Sequence, residues 1–215
     1  MFVSKGNKRM ERKEISKAVL RRLPGYLAFL KGLEVQYISA TSIANALGMG
    51  EVQVRKDLAA VSDGGRPKIG YERISLMEDI SRFLGYDNTT DAILVGAGKL
   101  GQALLGYSGF DAYGLNILAA FDVAPAACQV DGKPILPISG MESFCKTHNV
   151  LMGIITVPTH AAQEACEQLI ASGIKAIWNF APVHLEVPSN ILVQNENMST
   201  SLAVLSMHLQ AQIKK

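Results

Sequence analysis

Nowhere does the chain reach the roughly 18 consecutive apolar residues that a membrane-crossing helix needs. Its start lacks an apolar core followed by a small-residue cleavage site. A membrane span and a secretory leader are therefore not expected, and a soluble cytoplasmic protein is. Cysteine is scarce: Cys128, Cys145 and Cys166 are odd in number, widely spaced and outside any CxxC pair. Neither a disulfide framework nor a zinc site is expected from such thiols. Internal repeats and low-complexity segments are also missing. Histidine offers little for catalysis. His160 follows Pro158-Thr159 at a helix start with no nearby Arg to clamp a carboxylate, and His148, His184 and His208 have weaker contexts. Hydride transfer needs an acid or base beside the reacting carbonyl, so no catalytic residue is expected.

The charge is unevenly placed. Residues 1–85 carry 15 Lys and Arg against 9 Asp and Glu, whereas residues 86–215 carry 6 against 10, so a +6 segment precedes a −4 segment within a net +2 chain. Lys and Arg gain by displacing counterions from a phosphate backbone, so the first part suits a polyanion and the second does not. A solvated basic face is the plainer alternative.

Leu20, Leu23, Leu27 and Leu30 recur at helical spacing and predict a helix over Ser16 to Leu33, weakened in the middle by Pro24-Gly25. A short helix follows, with Thr41 or Ser42 as N-cap and Gly48 as its stop. Glu51 to Val61 predicts a third, with Val54, Leu58 and Val61 facing a core while Val52, Lys56 and Ala59 point outward, flanked by Gln53 and Arg55. Helix, short turn and exposed cationic helix resemble a helix-turn-helix. Asp63 to Tyr71 is rich in turn formers, carries Arg66 and Lys68, and is expected to form a basic hairpin wing.

Gly96-Ala97-Gly98-Lys99-Leu100-Gly101 follows the apolar run Ala92 to Val95 and leads into a helix-like segment, and Asp122 closes the next apolar run, 21 residues after Gly101. Glycines there permit a tight turn and close approach of backbone N–H groups to a pyrophosphate at the positive end of a helix. A carboxylate at Asp122 would accept from ribose hydroxyls and repel a 2'-phosphate. Residues Ala124 to Gly132 hold no Lys or Arg to receive one, so NAD(H) is expected over NADP(H). Strands are expected at Leu115 to Phe121, Val150 to Val157 and Lys175 to Phe180, with helices at Met141 to His148 and Ala161 to Ser172. This alternation predicts an α/β fold with a doubly wound parallel sheet. Thr156-Val157-Pro158 and Asn179-Phe180-Ala181-Pro182 stand at strand ends where a ligand would bind. Ser199 to Leu209 predicts a last helix with Leu202, Leu205 and Leu209 on one face, to be covered by its own sheet or by a second subunit.

Together, Gln53-Val54-Arg55-Lys56-Asp57-Leu58, Val95 to Gly101, Ala119 to Val123, Thr156 to Pro158, Asn179 to Val183 and Tyr107 in Tyr107-Ser108-Gly109-Phe110 resemble the Rex family of redox-sensing repressors over nearly the whole chain. The resemblance implies a winged-helix DNA-binding domain over 1–85, a Rossmann NAD(H)-binding domain over 86–197, and a dimerisation helix over 198–215 exchanged between subunits. It implies a homodimer that represses fermentation and respiration genes, is released from operator DNA by NADH, and favours DNA with NAD+. Gln53, Arg55, Lys56, Lys68, Gly70 and Tyr71 would contact double-stranded DNA. Gly96, Ala97, Gly98, Lys99, Leu100, Gly101, Asp122, Val123, Thr156, Val157 and Pro158 would hold the nucleotide, with Tyr107 and Met198 beside it. The chain departs from the family pattern in its wing. It departs again at Asn197-Met198 and Ala28, where some relatives carry an Asp-Phe pair and the Arg that partners the Asp. Met198 would then act through packing. A small NAD-dependent oxidoreductase or CoA-type nucleotide-binding protein with an incidental basic module is the alternative.

Overall fold

The computed structural model describes residues 16–213, and these divide into a first compact unit ending at Asp87 and a second beginning at Asn88. In the first unit, α1 (Lys17–Lys31) runs unbroken through Pro24. Proline removes one helical hydrogen bond, but Leu23, Tyr26, Leu27 and Leu30 bury almost completely on one side, and that apolar face holds the helix together. Leu20, expected on this face, is 40% exposed. Helix α2 (Ala40–Leu47) is capped by Ser39, not by Thr41 or Ser42: Ser39 is extended and its Oγ accepts from the Ser42 N–H at 3.0 Å. Gly48 closes the helix in the left-handed region. Helix α3 (Glu51–Val61) buries Val54, Leu58 and Val61 against α1 and α4 (Arg73–Leu84) residues such as Leu76 and Ile80.

Two strands complete this unit. β1 (Tyr37–Ile38) pairs antiparallel with β2 (Tyr71–Glu72), and between α3 and β2 a tight turn is closed by mutual backbone bonds of Arg66 and Gly70, each 2.9 Å. This is the wing. Gly70 sits at φ +90, and a Cβ there would run into the Ile38 carbonyl oxygen, so only glycine fits.

The second unit is a seven-stranded sheet in the order β5-β6-β4-β3-β7-β8-β9. Its strands are β3 (Thr90–Val95), β4 (Leu115–Asp122), β5 (Gln129–Val130), β6 (Lys133–Pro137), β7 (Met152–Ile155), β8 (Ala176–Asn179) and β9 (Leu192–Asn195). All neighbours are parallel except the β5-β6 hairpin. The apolar run of β3 explains the double winding. Ile93 and Val95 bury beneath α6 (Met141–His148) and α7 (Ala162–Ala171), while Ala92 and Leu94 bury on the other face beneath α5 (Lys99–Leu105). A strand covered on both faces reads as a continuous hydrophobic run. α8 (Met198–Ile213) follows β9, and Leu202, Leu205, Met207, Leu209 and Ile213 are exposed along it. Among the described residues no helix is long and apolar enough to cross a membrane.

Candidate dinucleotide and DNA sites

The glycine turn sits at the carboxyl end of β3. Gly96 adopts φ +100 and takes its N–H to the Phe121 carbonyl at 2.8 Å, and a Cβ there would lie 2.7 Å from Val157 Cγ1. Gly101 lies tight against the Gly96 carbonyl, and a Cβ would also come within 2.9 Å of Thr156 Oγ1. Gly98 differs: its φ −69 and ψ −172 suit any residue, and nothing lies within 4 Å of the Cβ it lacks. The first and third glycines thus pack protein on protein, and the middle one leaves a cradle open at the start of α5.

A cavity of about 610 Å³ opens beside it, lined by Gly96, Gly98, Asp122, Val123, Thr156, Val157 and Pro158 and extended along α7. That size suits a nucleotide. Asp122 already holds two backbone donors: Oδ2 accepts from the Ala97 N–H at 2.7 Å and Oδ1 from the Ala124 N–H at 2.9 Å. It therefore braces the turn, with each oxygen keeping a further lone pair. Thr156 Oγ1 donates to the Gly96 carbonyl at 2.7 Å and locks β7 to the turn. Glu164 lines the cavity together with Asp122, and among the described residues no Lys or Arg does.

Lys99 and Leu100 are exposed on the first turn of α5, Ala97 is buried, and Val123 is exposed at the cavity rim. Tyr107 is exposed and packs edge-on against Phe110, with centroids 4.9 Å apart. The backbone of Met198 opens α8, but its side chain lies outside the described residues. Asn179 is fully buried, and its amide binds Ala181, Val183 and Asn195, which makes it a fastener of the β8 end and not a wall of the cavity.

In the first unit Gln53, Arg55 and Lys56 are exposed on α3. Arg55 pairs with Glu51 one turn earlier. Gln53, with its amide oxygen turned inward, accepts from Arg22 Nη1 at 2.9 Å. Lys68 is exposed on the wing at φ +65. Tyr71 is buried with its ring against Gly65, so it braces the wing. Between wing and helices lies a groove of about 470 Å³ lined by Arg55, Arg66, Lys68 and the N-terminal residues of α2. The part of that helix end in the groove was not legible in the sequence, because the true cap lies upstream of the expected one.

One cluster escaped sequence reading altogether. Arg22 on α1 binds Asp57 on α3 through both carboxylate oxygens, at 2.7 and 2.9 Å, and Tyr26 O–H donates to the same carboxylate at 2.8 Å. The Asp57 hydrogen bond raises the Arg22 pKa. Burial first, then the bond to Asp57, pushes Tyr26 from its ordinary 10.0 up to about 12. Because the folded value is the higher one, this contribution is fully present below pH 10.0 and lost as pH rises through about 12. The first unit is therefore expected to lose stability over that interval in denaturant titrations. Tyr26→Phe should flatten the slope there, and an unchanged slope would contradict the assignment.

Residues 14–59 match a family model described as the N-terminus of putative DNA-binding proteins, and residues 87–183 match the CoA binding domain model. The chain is 40% identical over 197 residues to the redox-sensing transcriptional repressor Rex of Porphyromonas gingivalis, covering 89% of this chain and 90% of that protein. It is 43% identical over 194 residues to Rex of Treponema denticola, covering 86% and 91%. Among solved structures, RSP in complex with β-NAD+ and operator DNA matches with a TM-score of 0.86 at 33% identity, covering 93% of this chain and 94% of that one. RSP in complex with β-NADH matches at 0.84 and 32%, covering 93% and 96%.

Proposed function

From its membership of the Rex family of redox-sensing transcriptional repressors, we propose that this chain binds operator DNA through its first unit and NADH or NAD+ through its second. The cradle above Gly98, joined to the cavity beside Asp122, carries this reading. Gly96 to Gly101 would seat the pyrophosphate, Asp122 and Val123 the adenosine ribose, and Thr156 to Pro158 the rest of the crevice. Asp122 and Glu164 favour NAD(H) over NADP(H), because a 2'-phosphate would be held against two carboxylates. The CoA binding match covers the same unit, and the absence of Lys or Arg from the cavity's described lining disfavours a ligand with a ribose phosphate.

Gln53, Arg55, Lys56, Lys68 and Gly70 would meet DNA, α3 in the major groove and the wing at the backbone, with Tyr71 supporting the wing from beneath. The protein works on DNA inside the cell, and two copies would join through the apolar side of α8, where Leu202, Leu205 and Leu209 are exposed among the described residues. NADH and NAD+ act by differential affinity for the DNA-competent and released states. No catalytic residue is needed.

Two measurements test the proposal. NADH should bind the purified protein at least about tenfold more tightly than NADPH, a difference of about 1.4 kcal/mol. Equal affinity would contradict the role given to Asp122 and Glu164. Lys56→Ala should weaken binding to a palindromic duplex, costing about 1–3 kcal/mol if the contact is to a base edge, or lowering the salt slope by about 1 if it is to phosphate. Full affinity with an unchanged slope would remove Lys56 from the interface.

A further inference from the structure

We infer that Gln53 selects guanine in the operator because Arg22 holds its amide in one orientation, an inference that rests on the repressor reading. Glutamine is ambiguous as a reader of DNA. Free to turn, its amide offers a donor and an acceptor side by side, the pair that matches N6–H and N7 of adenine in the major groove. Arginine carries donors only, so the edge of the amide that faces it is the oxygen. Asp57 takes the Nε–H and one Nη2–H of Arg22, at 2.7 and 2.9 Å. Nη1 is left over, and it donates to Gln53 Oε1 at 2.9 Å.

The guanidinium is itself fixed. Asp57 is buried and also accepts from Tyr26 O–H at 2.8 Å, so the fork that grips the amide cannot swing without breaking a charge-assisted pair. Gln53 lies exposed on the first turn of α3, beside exposed Val52 and shortly before exposed Lys56. Residues at the N-terminal end of a recognition helix are the ones that reach base edges. With Oε1 held by Arg22, the amide brings its two N–H donors to DNA while its acceptor stays with the protein. Adenine then loses one of its two bonds to glutamine. Guanine presents two acceptors, O6 and N7, on that edge, whereas thymine presents one and cytosine a donor, so guanine is matched best. Arg22 acts through the amide, as a positioning residue.

The test uses the full-length protein with NAD+ and the palindromic duplex that wild type selects from a randomised pool. Each base pair of the half-site is replaced in turn by the other three, and affinity is read by anisotropy at fixed salt. Wild type should show a position at which guanine is preferred over adenine and the other bases by at least about fivefold. Gln53→Ala should flatten that position to within about twofold and leave the ranking elsewhere unchanged. Gln53→Glu keeps an acceptor for Arg22 but turns a second acceptor to DNA, so the same position should switch to cytosine. Arg22→Lys keeps a cation beside Asp57 without the planar fork, and adenine should there gain at least about threefold on guanine. A general loss of folding would weaken every duplex alike and leave that ratio unmoved. A wild-type preference for adenine at the position that Gln53→Ala flattens overturns the inference. So does a Gln53→Ala variant that weakens all duplexes equally, the mark of a phosphate contact. A guanine preference that Arg22→Lys leaves intact overturns the role of Arg22. A wild type that selects no sequence overturns the repressor reading first, and this inference with it.

Discussion

Gly98→Ala is expected to give a fully folded protein that still binds operator DNA but ignores NADH. Alanine is at ease at φ −69 and ψ −172, and its Cβ meets no protein atom within 4 Å. The added methyl therefore costs the fold little and occupies the cradle where the pyrophosphate must approach the backbone. NADH affinity should fall at least about 100-fold, or about 2.7 kcal/mol, with the melting temperature unchanged. Gly101→Ala makes the contrast, because its Cβ collides with the Gly96 carbonyl and the Thr156 side chain. That variant should lose stability as well as nucleotide. Fluorescence titration with NADH alongside thermal melting separates the two, and wild-type NADH affinity in Gly98→Ala would show that the dinucleotide lies elsewhere.

Asp57→Ala should cripple the other half of the molecule. Asp57 is 4% exposed and holds three donors, two from Arg22 and one from Tyr26. Removing one partner of a buried pair costs about 3–5 kcal/mol, and solvent access to Arg22 places the value near the lower end. For a unit of this size that lowers the melting temperature by at least about 10 °C. Operator binding should be lost because α3 is no longer fixed to α1, while NADH binding by the second unit should stay at wild-type strength. A variant that melts with wild type would reduce the triad to an ornament of the surface.

These two sites differ in how far the sequence revealed them. The glycine turn was legible because its chemistry is local: left-handed backbone at Gly96, contact without a Cβ at Gly101, an apolar run before and an acid after. The burial of β3 on both faces was legible as an unbroken hydrophobic run. The exposed face of α3 followed from helical periodicity.

The Arg22-Asp57-Tyr26 cluster was not legible, since Asp57 reads as one more polar residue until a partner 35 positions away is brought against it. β6 carries Pro134 and Pro137, which argue against a strand in any local reading; its register against β4 provides what propensity does not. β9 has mostly exposed residues and forms by pairing with β8. α4 escaped notice among alternating charges, although Leu76 and Ile80 bury completely. Asp122 was expected to face a ribose alone, and the structure adds a second task, bracing Ala97 and Ala124. Such double use cannot be read from spacing.

A single titration tests whether one chain couples nucleotide state to DNA occupancy. The purified protein is bound to a fluorescent palindromic duplex at fixed salt and saturating NAD+, and NADH is added while anisotropy is followed. Release by NADH, with none on adding the same amount of further NAD+, is the expected result. Tight binding that ignores both nucleotides, or NADH uptake by a protein with no specific affinity for the duplex, would contradict it.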